Sequence, residues 1–344
     1  MSFDSHLQQR WYGRPGLLLL LLPLEWLFRV IVAARRWSLL RSIQLSEKLP
    51  VPVIVIGNIA VGGTGKTPIA IALCAALKQA GFRPGIVSRG YGAKPPQFPY
   101  LVSAQSRVDE AGDEPLLLAL NTDCPVVIAP DRVAAARHLL ANSDCDVIIS
   151  DDGLQHYRLQ RDIEWVVIDG ARGFGNGHCL PVGPLREPQS RLDSVDAILV
   201  NTSSARVDTS STFIDAEALR EPHFAFQLQP RAFVALSDGR ELAAAKWPQR
   251  RVHAVAGIGN PARFFNTLRA LGVDVIEHAF PDHHAFTAAD LQFADNLPVI
   301  MTEKDAVKCI GLDVGARECW YLAVEAVVPD SLFSTLIGRI AALK

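Results

Sequence analysis

Apolar positions along this chain fall into short β-branched runs that alternate with segments of helical periodicity. Residues 49–56 (LPVPVIVI) predict a buried strand, 67–80 a helix closed by Gly81, and Pro84–Ser88 a second strand. Further strands are expected at 126–129, 146–150, 164–169 and Ala197–Asn201, with a helix at 133–140. Such alternation points to a parallel sheet covered by helices on both faces. A Ser/Thr-rich stretch at 201–212 reads as a boundary. After it, 223–228 and 232–236 read as two short strands flanking Gln229, Pro230 and Arg231. The α/β pattern then resumes, with strand Arg251–Ala256, helix 261–271, and strands 273–278 and 297–302.

The most apolar stretch is 17–34, LLLLLLPLEWLFRVIVAA. It runs into Arg35 and Arg36 without a small-residue cleavage site, unlike a signal peptide. Glu25 and Arg29, spaced to pair at i,i+4, and a proline at 23 argue against a spanning helix, since each charge in hydrocarbon costs about 2.5–3.5 kcal/mol. On a helix, Glu25, Arg29 and Arg36 share one stripe with Val32. Trp11, Tyr12, Trp26 and Trp37 supply aromatics of the kind found at interfaces, and Arg35, Arg36 and Arg41 suit anionic headgroups. The expectation is a helix lying in a membrane interface; packing on the protein's own body is the competing reading.

Composition narrows the field. At 344 residues the chain is long enough for two domains. Its net charge of −2 argues against a nucleic-acid partner. Six scattered cysteines without a C-x-x-C fit a reducing compartment rather than a disulfide framework or zinc site.

The clearest chemical signal is Gly62, Gly63, Thr64, Gly65, Lys66 and Thr67, set between a strand and a helix. Glycines let backbone N–H groups turn inward on phosphates, and a helix N-terminus completes the cradle. Lys66 is positioned to reach the β- and γ-phosphates of ATP, and Thr67 to ligate Mg²⁺. Ala60 stands where the strict P-loop pattern has its first glycine, and Gly57 is the expected substitute for the tight turn. The apolar run 147–149, ending in Asp151 and Asp152, suits a metal-supporting strand; a turn before Gly153 is the plainer reading. The fold class expected is therefore α/β: a P-loop NTPase-type parallel sheet core, a second, smaller α/β domain and an N-terminal hydrophobic helix. The expected division is 1–48, 49–214 and 215–344.

Asp113 opens an apolar helix, either as a cap or as a carboxylate able to accept a proton from an attacking hydroxyl. Asp282, His283 and His284 lie in a loop, without the third ligand that zinc would need. A Gly/Pro-studded loop over 173–188 carries Asn176 and Arg186, and Arg89 follows a strand; both arginines are candidates for an anionic ligand.

Taken together, GNIAVGGTGKTP (57–68), SRGYG (88–92), GDEP (112–115), DDGLQH (151–156), GNGHCLPVGPLREP (175–188), FPDHH (280–284) and TEKDAVK (302–308) resemble the tetraacyldisaccharide 4'-kinases, the lipid A kinases of Gram-negative envelopes. The resemblance implies transfer of the γ-phosphoryl of ATP to the 4'-hydroxyl of a tetraacylated disaccharide 1-phosphate. It implies Lys66 and Thr67 on triphosphate and metal, Asp151 and Asp152 in support, and Asp113 as base with His283. Arg89, Asn176 and Arg186 are the expected substrate contacts. It places the N-terminal helix on the cytoplasmic face of the inner membrane, with no obligate protein partner indicated. The rival class is a membrane-docked P-loop switch ATPase without a small-molecule acceptor.

Overall fold

The structure is a computed structural model that describes residues 3–41, 46–202, 222–248 and 250–343. The chain opens with helices α1 (Phe3–Trp11) and α2 (Leu22–Arg41), the latter entered through a 3₁₀ turn at Gly16–Leu21. The first half continues as β1 (Val53–Gly57), α3 (Lys66–Gln79), β2 (Pro84–Ser88), β3 (Tyr100–Val102), α4 (Val108–Ala111), α5 (Asp113–Thr122), β4 (Val126–Ile128), α6 (Arg132–Asn142), β5 (Val147–Asp151), β6 (Ile163–Asp169) and β7 (Ala197–Asn201). The second contains β8 (His223–Ala235), β9 (Glu241–Ala243), β10 (Arg251–Ala256), α7 (Pro261–Ala270), β11 (Asp274–Ala279), β12 (Val299–Thr302), α8 (Glu303–Cys309), β13 (Cys319–Val327) and α9 (Asp330–Leu343).

The strands form one sheet in the order β11-β10-β12-β13-β8-β7-β6-β1-β5-β2-β4-β3, with β9 paired to β8. From β7 to β4 neighbouring strands are parallel, as they are from β11 to β13. Every residue of β1, β5 and β7 is buried, as a parallel sheet covered on both faces requires. In β1 the side chains alternate. Ile54 and Ile56 pack with Ile69 and Leu73 of α3, while Val53 and Val55 join Val133 and Leu139 of α6 on the other face. Burial of each such side chain contributes about 1.5–3 kcal/mol.

The two short strands expected at 223–228 and 232–236 are one 13-residue strand, β8. Its first residues pair in parallel with β7, and the remainder pairs antiparallel with β13, so a single strand belongs to both halves. Pro230 does not end it. The register slips at this point, Pro230 facing Val324 while Ala232 faces Ala323, and the bulge absorbs the N–H that proline lacks. The Ser/Thr-rich boundary lies almost wholly, and the 214/215 division entirely, outside the described residues. A core of Phe233, Trp247, Phe264, Phe265, Leu268 and Trp320 fills the second half. The last helix crosses back: Leu332, Leu336 and Ile340 of α9 sit in the same core as Ile54 and Leu73.

The N-terminal region departs from expectation in two respects. Glu25 does not pair with Arg29. It is 3% exposed, accepts from the Cys179 N–H at 2.9 Å and lies 2.8 Å from His178 Nδ1. Phe28 and Arg36 also turn toward the body, Arg36 donating to Ser194 Oγ at 2.8 Å. Glu25, Phe28 and Arg36 therefore anchor α2 to the protein, Arg29 is exposed, and the apolar side faces outward through Leu20, Leu24, Trp26, Leu27 and Ile31. The stretch Gly16–Leu39 is long and apolar enough to cross a membrane, and only 6% of its most apolar window is buried, so the helix docks on the body without burying its apolar side. Trp26 and Trp37 are exposed, but Trp11 and Tyr12, expected at the interface, are tied into the protein by hydrogen bonds to Pro181 O and Val61 O.

Candidate active site

Parallel strands end on a common edge, so β1 and β5 deliver Gly57 and Asp151 close together, while β6 runs on past Val166, the partner of Gly57, to end at Asp169. The P-loop leaves β1 there and enters α3 through Gly65, whose φ of 99° is a left-handed conformation that a side chain would strain. Gly57 has a different reason from the one expected. It does not make the turn; a β-carbon there would meet Leu154 at 2.5 Å. Ala60 needs no glycine, because it forms an antiparallel bridge with Leu185 of the GPLREP segment. That segment backs the loop along its length, with Val61 N donating to Pro184 O at 2.9 Å and Arg186 N to Ile59 O at 2.7 Å. Glu187 fixes it in turn by accepting from Tyr157 Oη at 2.5 Å and Gln155 Nε2 at 2.8 Å.

Register places Asp151 opposite Ile56, at the root of the P-loop. Asp151 is fully buried, and neither carboxylate oxygen has a hydrogen-bond partner among the described residues. Burial, then the Glu114 charge, pushes its carboxyl up to about 7, against the pull of Lys66. A buried orphan carboxylate suits a cation that needs hard oxygen ligands, and with the Thr67 hydroxyl and phosphate oxygens it matches the sparse protein ligation of Mg²⁺. Asp152 is differently committed. Its carboxylate meets Lys66 Nζ at 3.4 Å and Arg186 Nη1 at 3.2 Å. Burial would raise it, but these two cations hold it well below the usual carboxylate range.

Asp113, at the start of α5, is 6% exposed, and its Oδ2 lies 2.9 Å from His283 Nδ1 in the other half. Burial alone would raise the Asp113 carboxyl; the His283 hydrogen bond and the Lys304 charge bring it down to about 2. The same hydrogen bond raises His283 above its ordinary value. His284 lies 3.3 Å from Asp290 instead. Lys304, at the start of α8, reaches Glu114 at 2.8 Å, Asp282 at 3.6 Å and Asp113 at 3.8 Å. Burial would lower its pKa, but the three carboxylates raise it overall. A cavity of about 760 Å³ opens between the halves, lined by Lys66, Thr67, Glu114, Arg172, Arg263 and Lys304 among others. Its size suits a nucleotide.

Residues 17–341 match the family model for the tetraacyldisaccharide-1-P 4'-kinases. The chain belongs to the tetraacyldisaccharide 4'-kinase family. It is 50% identical over 335 residues to the tetraacyldisaccharide 4'-kinase of Pseudomonas putida F1, covering 97% of this chain and 96% of the relative. The Pseudomonas paraeruginosa kinase of the same name is 49% identical over 341 residues, covering 99% and 98%. The fold is similar to that of LpxK from Aquifex aeolicus, crystallised in complex with ATP, with a TM-score of 0.75, 28% identity and coverage of 95% and 99%.

Within this family's frame the remaining expected contacts separate. Arg89 is exposed just beyond β2. Arg186 faces Asp152 as described. Asn176 is engaged by its own loop and by the Arg10 carbonyl. Its Nδ2 donates to Arg10 O and Val182 O, and its Oδ1 accepts from His178 N at 3.1 Å, so it shapes the loop. Residues that received no role from the sequence also converge here. Lys304 lies within TEKDAVK, a segment quoted only for its resemblance. Glu114 follows Asp113 but reads as first-turn helix charge. Asp169 ends an expected strand, yet its partners Arg263 and Asn260 come from α7 and the loop before it, at 2.6 and 3.3 Å, and no local pattern announces that meeting.

Proposed function

We propose that this chain is an ATP-dependent kinase that transfers the γ-phosphoryl group to the 4'-hydroxyl of tetraacyldisaccharide 1-phosphate, a step in lipid A biosynthesis. Family membership supports the activity and sets the switch ATPase aside. The observation that carries the site reading is the 2.9 Å pairing of Asp113 with His283, beside a P-loop cavity large enough for ATP. A switch ATPase has no use for such a pair.

The P-loop N–H groups and Lys66 hold the triphosphate, and Asp152 aims Lys66. Thr67 and Asp151 would hold Mg²⁺, which would supply charge neutralisation at the phosphate oxygens. His283 Nδ1–H donates to Asp113 Oδ2 and the Glu114 N–H to Oδ1 at 2.9 Å, which together fix the carboxylate so that a remaining lone pair can accept the proton of the attacking hydroxyl. Arg89 contacts an anionic group of the acceptor, and Arg186 does so while bridging to Asp152. Closure of the halves excludes water that would otherwise hydrolyse ATP.

The outward apolar face of α2 rests in the cytoplasmic face of the inner membrane, where an acylated acceptor is held. No protein partner is required by this scheme. The division into 1–48, 49–214 and 215–344 is likewise proposed, supported by a separate core in the second half, although Phe226 of β8, Val307 of α8 and the apolar face of α9 join the core of the first.

The test is phosphotransfer in mixed micelles from γ-labelled ATP with Mg²⁺ and tetraacyldisaccharide 1-phosphate. Label appears on the lipid with the unmodified protein and vanishes with Lys66→Ala. Asp113→Ala lowers turnover about 10²- to 10⁴-fold with little change in KM for ATP. Release of label only as free phosphate, indifferent to lipid, overturns the reading.

A further inference from the structure

The N-terminal segment reaches the nucleotide site itself. Tyr12, between α1 and the apolar stretch, donates from its hydroxyl to the carbonyl of Val61 inside the P-loop at 2.9 Å. The Arg172 guanidinium stacks over the Tyr12 ring at 4.8 Å. A β-carbon built on Gly62 would lie 3.5 Å from Arg172 Nη1 and 3.9 Å from the Tyr12 hydroxyl, so both groups rest against the loop. Arg172 lines the cavity and forms no carboxylate ion pair among the described residues. Trp11 holds the same stretch down, its ring N–H donating to Pro181 O at 3.1 Å while its carbonyl accepts from Asn176 N at 2.7 Å. Burial raises the Tyr12 phenol, which keeps the hydroxyl protonated as a donor.

We propose that Tyr12 is a positioning residue for ATP: its hydroxyl fixes the Val61 carbonyl and its ring seats Arg172 over the P-loop, so the segment that carries the apolar helix is also a part of the nucleotide site. Phosphate binding depends on the inward N–H groups of the loop, and a carbonyl that is held outward keeps the peptide units beside it in register. Arg172 aimed into the cavity supplies a cation suited to phosphate oxygens.

The inference rests on the ATP site and not on membrane docking. Tyr12→Phe removes the hydroxyl and keeps the ring, and Tyr12→Ala removes both. In the full-length protein Tyr12→Phe raises KM for ATP about three- to tenfold, the worth of one hydrogen bond. KM for the lipid acceptor and co-sedimentation with vesicles containing phosphatidylglycerol stay within about twofold on the same scale. Tyr12→Ala raises KM for ATP further. Titration with a fluorescent ATP analogue reads the same loss without turnover, which keeps failure of this inference distinct from failure of the transfer assay. Unchanged ATP affinity in both variants overturns it. So does a parallel rise of both KM values with a lower melting temperature, since that is the signature of general damage.

Discussion

At the scale of single residues, the site is a set of charges whose partners decide what each can do. Asp151 and Asp152 are neighbours with opposite fates: one is buried without a hydrogen bond, the other is shared by two cations. The His283–Asp113 pair has a pH signature. A histidine whose folded pKa is raised contributes stability that is fully present below its unfolded value of about 6.5 and is lost as pH rises through the folded value. The melting-temperature gap between the unmodified protein and Asp113→Asn should therefore narrow as pH climbs above about 6.5. A gap that stays constant or widens from pH 6 to 9 would sink the pairing. The sequence placed Asp113 and His283 as candidates through motif resemblance, but helix-start and loop readings competed for both residues. What local pattern could not supply was Lys304, because its three carboxylate partners come from segments distant in sequence. A lysine early in a short helix looks like any exposed lysine until those segments meet.

At the scale of elements, the alternating apolar runs made the parallel core legible, since fully buried strands need unbroken β-branched sequence. β8 was misread for a physical reason. Proline normally ends a strand, and only the bulge against Val324 allows this one to continue. Helix α2 was legible as apolar, but not as a helix with Glu25 turned inward to Cys179 and His178. The inward Glu25 leaves Leu20, Trp26 and Ile31 outward. Replacing those three by aspartate should release the protein from phosphatidylglycerol vesicles in a flotation assay, while activity on a short-chain, micelle-free acceptor persists. Continued flotation would assign the membrane contact to another surface.

At the scale of the whole molecule, the two halves meet around the cavity through charged links: Arg263 to Asp169 at 2.6 Å, Lys304 to Glu114 at 2.8 Å and His283 to Asp113 at 2.9 Å. All are at least partly shielded from solvent, so salt screens them less than surface pairs. Combining Asp169→Ala with Lys304→Met should enlarge the radius of gyration in solution scattering without nucleotide, and ATP should restore part of the compaction. Equal radii for the variant and the unmodified protein would mean that β8 and apolar packing alone hold the halves together.

The crossing of α9 bears on how the protein is made. Leu332, Leu336 and Ile340 complete a core that begins with Ile54. During synthesis the apolar stretch 17–34 emerges well before α9, and the core to which Ile54 belongs stays unfinished until that helix has been added. Until α9 has been added the nascent chain exposes a membrane-seeking segment beside an open core, so the last packing step of the P-loop half waits on a helix encoded far from the loop it supports.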